Sequence, residues 1–211
     1  MYFSKDFLDR NDFVLPGPSP TGKPADNGIL FTTIAYLIGF DFPAWSNKWD
    51  LMIYACYLKK GLIARWPGNN FDQSAWDDYL AIAVGCIHFK NKTIAREILL
   101  YGITHFGFYN TDEKLKFSDF LWRNIPIWPL MICAAFPTLK YLMFIPIFIV
   151  KLFFKKPSLE DTSGTQLQWL YILGCNKLGF NFKNVDNETM KAVFSVYYHK
   201  DHPFNNMGEV K

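Results

Sequence analysis

The run Ile29-Leu30-Phe31-Thr32-Thr33-Ile34-Ala35-Tyr36-Leu37-Ile38-Gly39-Phe40 is apolar at nearly every position and spans about three helical turns. A helix with no solvent face has to be surrounded by other elements. Two more stretches have the same character: the body of 79–87, and Leu167 to Leu173 apart from Gln168. The segments between them differ. Residues 47–65 set Lys48, Asp50, Lys59 and Lys60 against Leu51, Ile53, Tyr54, Leu58 and Leu62, and 92–107 displays Lys92, Arg96 and Glu97. Segment 187–199, with Glu188, Lys191 and Ser195, is amphipathic as well.

Apolar helices therefore alternate with amphipathic ones. The patterning predicts an all-α chain with helices over 29–40, 47–65, 74–89, 92–107, 117–136, 139–155, 165–178 and 187–199. Such alternation is what an array of helical hairpins produces, inner helices enclosed by outer ones, in an α/α-toroid-like ring or an irregular bundle. No two segments match at a fixed period, so a regular solenoid is not expected.

Residues 1–28 form the expected exception. Pro16, Gly17, Pro18, Pro20, Gly22, Pro24 and Asn27-Gly28 deny this stretch a regular element and predict an extended N-terminal arm. The remainder, 29–211, is expected to be one helical domain, since 211 residues suffice for a single substantial core. Half of the residues are hydrophobic and 18% aromatic, so apolar surface is abundant. The net charge of +3 is spread over 22 basic and 19 acidic residues without a basic stripe, which argues against a nucleic-acid partner.

Cys56, Cys86, Cys133 and Cys175 each sit in an apolar run with no C-x-x-C pair, and are expected as reduced, buried thiols. The first ten residues carry acids and no apolar core, so no signal peptide is expected and the location is read as cytoplasmic. No metal is expected. His199 and His202 lack further ligands nearby, Asp77 and His88 stand about 16 Å apart along a helix, and His105 reads as a packed histidine. No cofactor motif is present either.

If the three apolar helices point the same way, their N-termini gather the most polar junctions of the chain: Asn27-Gly28, then 65–78, then 161–166. Helix N-termini offer unsatisfied N–H groups to oxygen-rich ligands. Candidate ligand-binding residues there are Asn27, Trp66, Asn69, Asp72, Trp76 and Gln166. Ser74 and Asp77 fit the start of a helix, with Ser74 as N-cap. Asp78 does not, because it shares a face with Ala81, Ile82 and Gly85; an acid there needs Arg65 or a backbone N–H as partner. Asp78, Asp77 and Arg65 are accordingly the candidate catalytic set, as in helical toroids that process glycans, with a structural role for Asp78 as the competing reading.

From Ile125 to Val150 only Lys140 is charged. Lys140 and four prolines argue against a straight membrane span, and two arms of about 20 Å each are too short to cross about 30 Å of hydrocarbon. A shallow apolar hairpin at about 120–156 is expected instead. Arg123, Lys151, Lys155 and Lys156 flank it, with Trp128, Leu142, Phe144, Phe148 and Phe153 as candidate membrane contacts. The functional expectation is a membrane-associated protein, peripheral or monotopic, contacting lipid or a hydrophobic protein through 125–150. Two alternatives are a helical-toroid hydrolase or lyase acting on a glycan or cell-wall polymer, and an assembly subunit using the hairpin as its interface. Compact size without a recognisable motif is compatible with a phage or viral source.

Overall fold

The computed structural model describes residues 28–38, 49–64, 76–108, 124–153 and 162–190, and these are mostly helical. Residues 1–27, which hold the expected arm, lie outside the described residues. The elements are α1 (Gly28–Leu37), α2 (Trp49–Ala55), β1 (Tyr57–Lys59), β2 (Leu62–Ile63), α3 (Trp76–Phe89) and α4 (Lys92–His105). They continue with α5 (Ile127–Ala135), a 3₁₀ turn (Pro137–Tyr141), α6 (Phe144–Leu152) and α7 (Thr162–Lys177).

Helix α3 is the centre. Every residue from Asp78 to Cys86 is buried, as its unbroken apolar pattern requires. It packs against α1, α5 and α7, and more lightly against α4. Several contacts fix the relative directions. The Leu30 N–H reaches Asp78 at one end of the α1–α3 pair, and Tyr36 meets Phe89 edge-on at 5.8 Å at the other. Gly174 of α7 faces Val84 and Leu130 so closely that a Cβ there would lie 3.0 Å from the Val84 side chain. Phe108 bridges Tyr79 and Trp128, with ring centroids at 5.7 Å and 4.5 Å. Thus α1, α3, α5 and α7 run in the same direction.

Helix α4 returns in the opposite sense after a tight turn at Lys90-Asn91. Lys90 takes φ 58°, Asn91 accepts the Ile94 N–H at 3.1 Å as N-cap, and Phe106 closes the helix in the left-handed region. At the far end of α5, Arg96 donates from Nε to the Ala135 carbonyl at 3.2 Å, and its guanidinium lies over the Phe136 ring. One side chain of α4 thus satisfies a terminal carbonyl of α5.

The helix expected over 47–65 is shorter than its pattern suggests. It stops at Ala55, and the chain turns through Lys60-Gly61 to pair Tyr57 with Ile63 and Lys59 with Leu62 in an antiparallel hairpin. Gly61 has φ +81°, and a Cβ on it would come within 2.5 Å of the Glu97 carbonyl oxygen. The hairpin is tied to α4 by the Tyr57 hydroxyl donating to Glu97 Oε2 at 3.1 Å, and by Lys60 pairing with Glu97 Oε1 at 3.2 Å.

The apolar stretch 125–150 divides unequally. Helix α5 is core: Ile127, Leu130, Met131, Cys133, Ala134 and Ala135 are all buried. The first of the two expected arms is thus packed within the fold, because small residues at its C-terminal end let it press against α3 and α4. Its prolines mark helix starts. Pro129 and Pro146 are each the third residue of their helices and Pro137 opens the 3₁₀ turn, positions whose N–H groups have no helical acceptor. Helix α6 is different, burying only Ile147 and Val150.

Candidate functional site

The junction at the N-termini of the parallel helices is built around Asp78. Its side chain is 0% exposed, and Oδ1 accepts the Leu30 N–H of α1 at 3.2 Å. Leu30 is the third residue of α1, one of the donors that a helix leaves unsatisfied at its start. Asp78 thus caps a helix 48 positions away in sequence. Of the two partners expected for it, the backbone N–H is present; Arg65 lies outside the described residues. The neighbouring Asp77 is half-buried, and its Oδ1 accepts the Asp78 N–H at 3.1 Å, a first-turn acid on the positive end of α3.

Of the candidate ligand-binding residues, Trp76 is half-buried and packed against the core, while Gln166 is 1% exposed within α7 beside buried Thr165. Asn27, Trp66, Asn69, Asp72 and Ser74 lie outside the described residues. Among the described residues no three His, Cys, Asp or Glu side chains converge in a way that could hold a metal ion. His105 stacks on Tyr101 at 4.1 Å, with Nδ1 3.0 Å from the Tyr101 carbonyl. His199 and His202 are outside the described residues.

The second candidate region is the arm following Phe136. Tyr141, Leu142, Ile145 and Phe153 are 76%, 69%, 67% and 77% exposed, and Phe144, Phe148, Ile149 and Leu152 are exposed too. On the inner side, the Tyr171 hydroxyl donates to the Ile147 carbonyl at 3.2 Å, while Phe144 and Phe148 lean on Phe180 and Phe182. Lys151 lies over the Phe182 ring, its ammonium 5.2 Å from the centroid. Leu142, Phe144, Phe148 and Phe153, all singled out in sequence, share this surface. Trp128 does not, since it sits half-buried on α5 against Phe108. Among the described residues no helix is long and apolar enough to cross a membrane.

At the opposite end of α3 from Asp78 lies a depression of about 350 Å³. Lys90, Lys92, Lys140 and Lys177 line it, with the Cys86 and Cys133 thiols among its apolar lining. Burial pushes the Cys133 thiol up to about 11 against the opposing charge of Lys140, and raises the Cys86 thiol well above its ordinary value. His88 nearby is held below the usual imidazole range by burial and then by Lys177. None of the four lysines stands out in the sequence, because they belong to three separate stretches that only the parallel packing of α3, α5 and α7 brings together. No protein-family model, curated protein or solved structure matches the chain.

Proposed function

We propose that this chain is a membrane-associated helical protein that seats the arm 139–153 in the interfacial layer of a bilayer as a monotopic anchor. The supporting observation is the two-sided apolar character of α6. Ile147 and Val150 are spent on the core, yet Ile145, Phe148, Ile149 and Leu152 on the other sides remain exposed, continuous with Tyr141, Leu142 and Phe153. A helix apolar all round needs lipid, a partner or enclosure by its own chain, and the described residues leave most of α6 exposed. The element is too short to span, so lying in the interface is the geometry it suits.

On this reading the fold is an array of helical hairpins, with α1, α3, α5 and α7 as parallel inner helices and α4 and α6 among the returning ones. The arrangement resembles an open toroid or an irregular bundle, formed by residues 29–211 as one domain. The glycan-processing alternative draws less support, because Asp78 is enclosed and already engaged by α1.

The test is partition of the full chain onto phosphatidylcholine vesicles. Leu142→Lys and Ile145→Lys alter side chains two-thirds exposed, so folding should survive. Each should weaken partition about tenfold, from the apolar contact removed. A monodisperse chain that stays in the supernatant with vesicles, free of detergent, would sink the proposal. A second exposed apolar set, Leu51, Tyr54 and Leu58 with Leu100, Ile103 and Phe106, favours a hydrophobic protein partner as the second reading. That reading gains if the chain assembles with a defined stoichiometry and ignores vesicles.

A further inference from the structure

We propose that the lysine-lined depression holds the phosphate headgroup of an anionic phospholipid whose acyl chains lie along the exposed arm, an inference that rests on the membrane reading above. Lys90 follows α3 in the turn, Lys92 begins α4, Lys140 sits on the 3₁₀ turn and Lys177 ends α7, so four lysines from three separate stretches of chain line one cavity. Among the described residues no carboxylate lines it. Among the described residues none of the four lysines forms an ion pair, in contrast to Lys60, which is held by Glu97. Like charges gathered around one space repel, and an anion is the group that relieves them.

Three of these lysines have a local explanation. Lys90 and Lys177 stand at the C-terminal ends of helices and Lys140 in the last turn of its short 3₁₀ helix, where a cation suits the dipole. Lys92 has none of that kind: it is the first residue of α4, whose first turn carries no acid. Lys140 is steadied over the Tyr141 ring, 4.9 Å from its centroid. The cavity wall contributed by Cys86, Cys133 and Ala134 is neutral and apolar, which leaves the rim as the charged part.

The choice of a lipid over a free phosphate ester comes from continuity. Pro137 and Lys140 line the depression and belong to the same short segment as Tyr141 and Leu142, the start of the exposed apolar arm. A ligand reaching from the pocket along that segment meets ammonium groups first and bare apolar side chains next. That sequence of chemistry matches a phospholipid from headgroup to acyl chain.

The experiment uses the full chain with vesicles of phosphatidylcholine alone and of phosphatidylcholine containing phosphatidic acid. Two double variants remove the same charge in different places: K92Q/K177Q at the depression, and K59Q/K183Q on exposed surface elsewhere. Phosphatidic acid should strengthen partition of the native chain. K92Q/K177Q should lose about thirtyfold on those vesicles, while partition onto phosphatidylcholine stays within about twofold. K59Q/K183Q should lose less than about threefold, and soluble glycerol 3-phosphate should fail to displace the chain. Equal losses in both double variants would mean diffuse charge attraction and overturn the pocket. Displacement by glycerol 3-phosphate, with no preference for the anionic vesicle, would assign the site to a free phosphate ester. A flat response to phosphatidic acid, with phosphatidylcholine binding retained, overturns this inference alone; loss of binding to both vesicles removes the membrane reading with it.

Discussion

Asp78 carries the clearest lesson at the scale of one residue. Its carboxylate supplies the acceptor that α1 lacks at its start, inside a core where water cannot substitute. Asp78→Ala leaves the Leu30 N–H buried without that acceptor, and should cost about 2–3 kcal/mol, the sum of a lost cap and an unsatisfied donor. For a chain of this length that is a fall in Tm of about 4–12 °C by circular dichroism. Asp78→Asn keeps an oxygen acceptor but gives up the charge facing the helix dipole, so about half the loss is expected. An Asp78→Ala variant melting within a degree of the native chain would show that the cap carries no stability, and would return Asp78 to the catalytic reading. The sequence placed this acid on an apolar face and required a backbone N–H or a cation for it. Which helix provides the N–H was not legible, because the partner lies 48 residues away and depends on α1 running parallel to α3.

At the scale of elements, close approach decides the architecture. Gly85 lies where a Cβ would fall 2.2 Å from the Trp49 ring, and that ring stacks on Phe89 at 5.2 Å while its Nε1 donates to Thr33 Oγ1 at 3.1 Å. Gly85→Ala must therefore push Trp49 away from both partners. An overpacking cost of about 1–3 kcal/mol is expected, seen as a lower urea midpoint at unchanged slope. An unchanged midpoint would mean that α2 can slide on α3 freely. The existence of most helices was legible from apolar periodicity; two features were not. Leu58 and Leu62 are four apart, a helical spacing, and this masked the Lys60-Gly61 turn, whose glycine was the one local signal of the hairpin. The stretch 125–150 read as uniformly apolar, and nothing local separated α5, which is enclosed, from α6, which is not. The difference follows from shape: Cys133, Ala134 and Ala135 permit close packing, whereas Phe144, Ile145, Phe148 and Ile149 are bulky on several sides. The lysines at 90, 92, 140 and 177 were invisible for a related reason, since their proximity is a property of the assembled helix ends.

Across the whole molecule, the buried acids of high intrinsic pKa set an alkaline limit on stability. All four cysteines are free and buried, as their apolar settings predicted. Burial raises Cys133 to about 11 and Cys175 to about 12, with Cys86 also well above its ordinary value. Tyr57 and Tyr171 are raised as well, by burial first and then by Glu97 and Cys175 respectively. The sign is the same for each. Below the unfolded-state thiol pKa, near 9, both states hold the proton and nothing is lost. Above it the unfolded chain releases protons that the folded chain retains, so rising pH favours unfolding at up to about 1.4 kcal/mol per pH unit for each thiol, until the folded pKa is reached. Thermal stability should therefore be flat from pH 7 to 8.5 and fall steeply between pH 9 and about 11, where Cys86, Cys133 and Cys175 contribute together. Cys133→Ala with Cys175→Ala should flatten that fall even though the double variant starts from a lower Tm, because the linkage disappears while two small cavities are created. An alkaline slope unaltered in the double variant would place the proton release elsewhere, in the tyrosines that the core also shields.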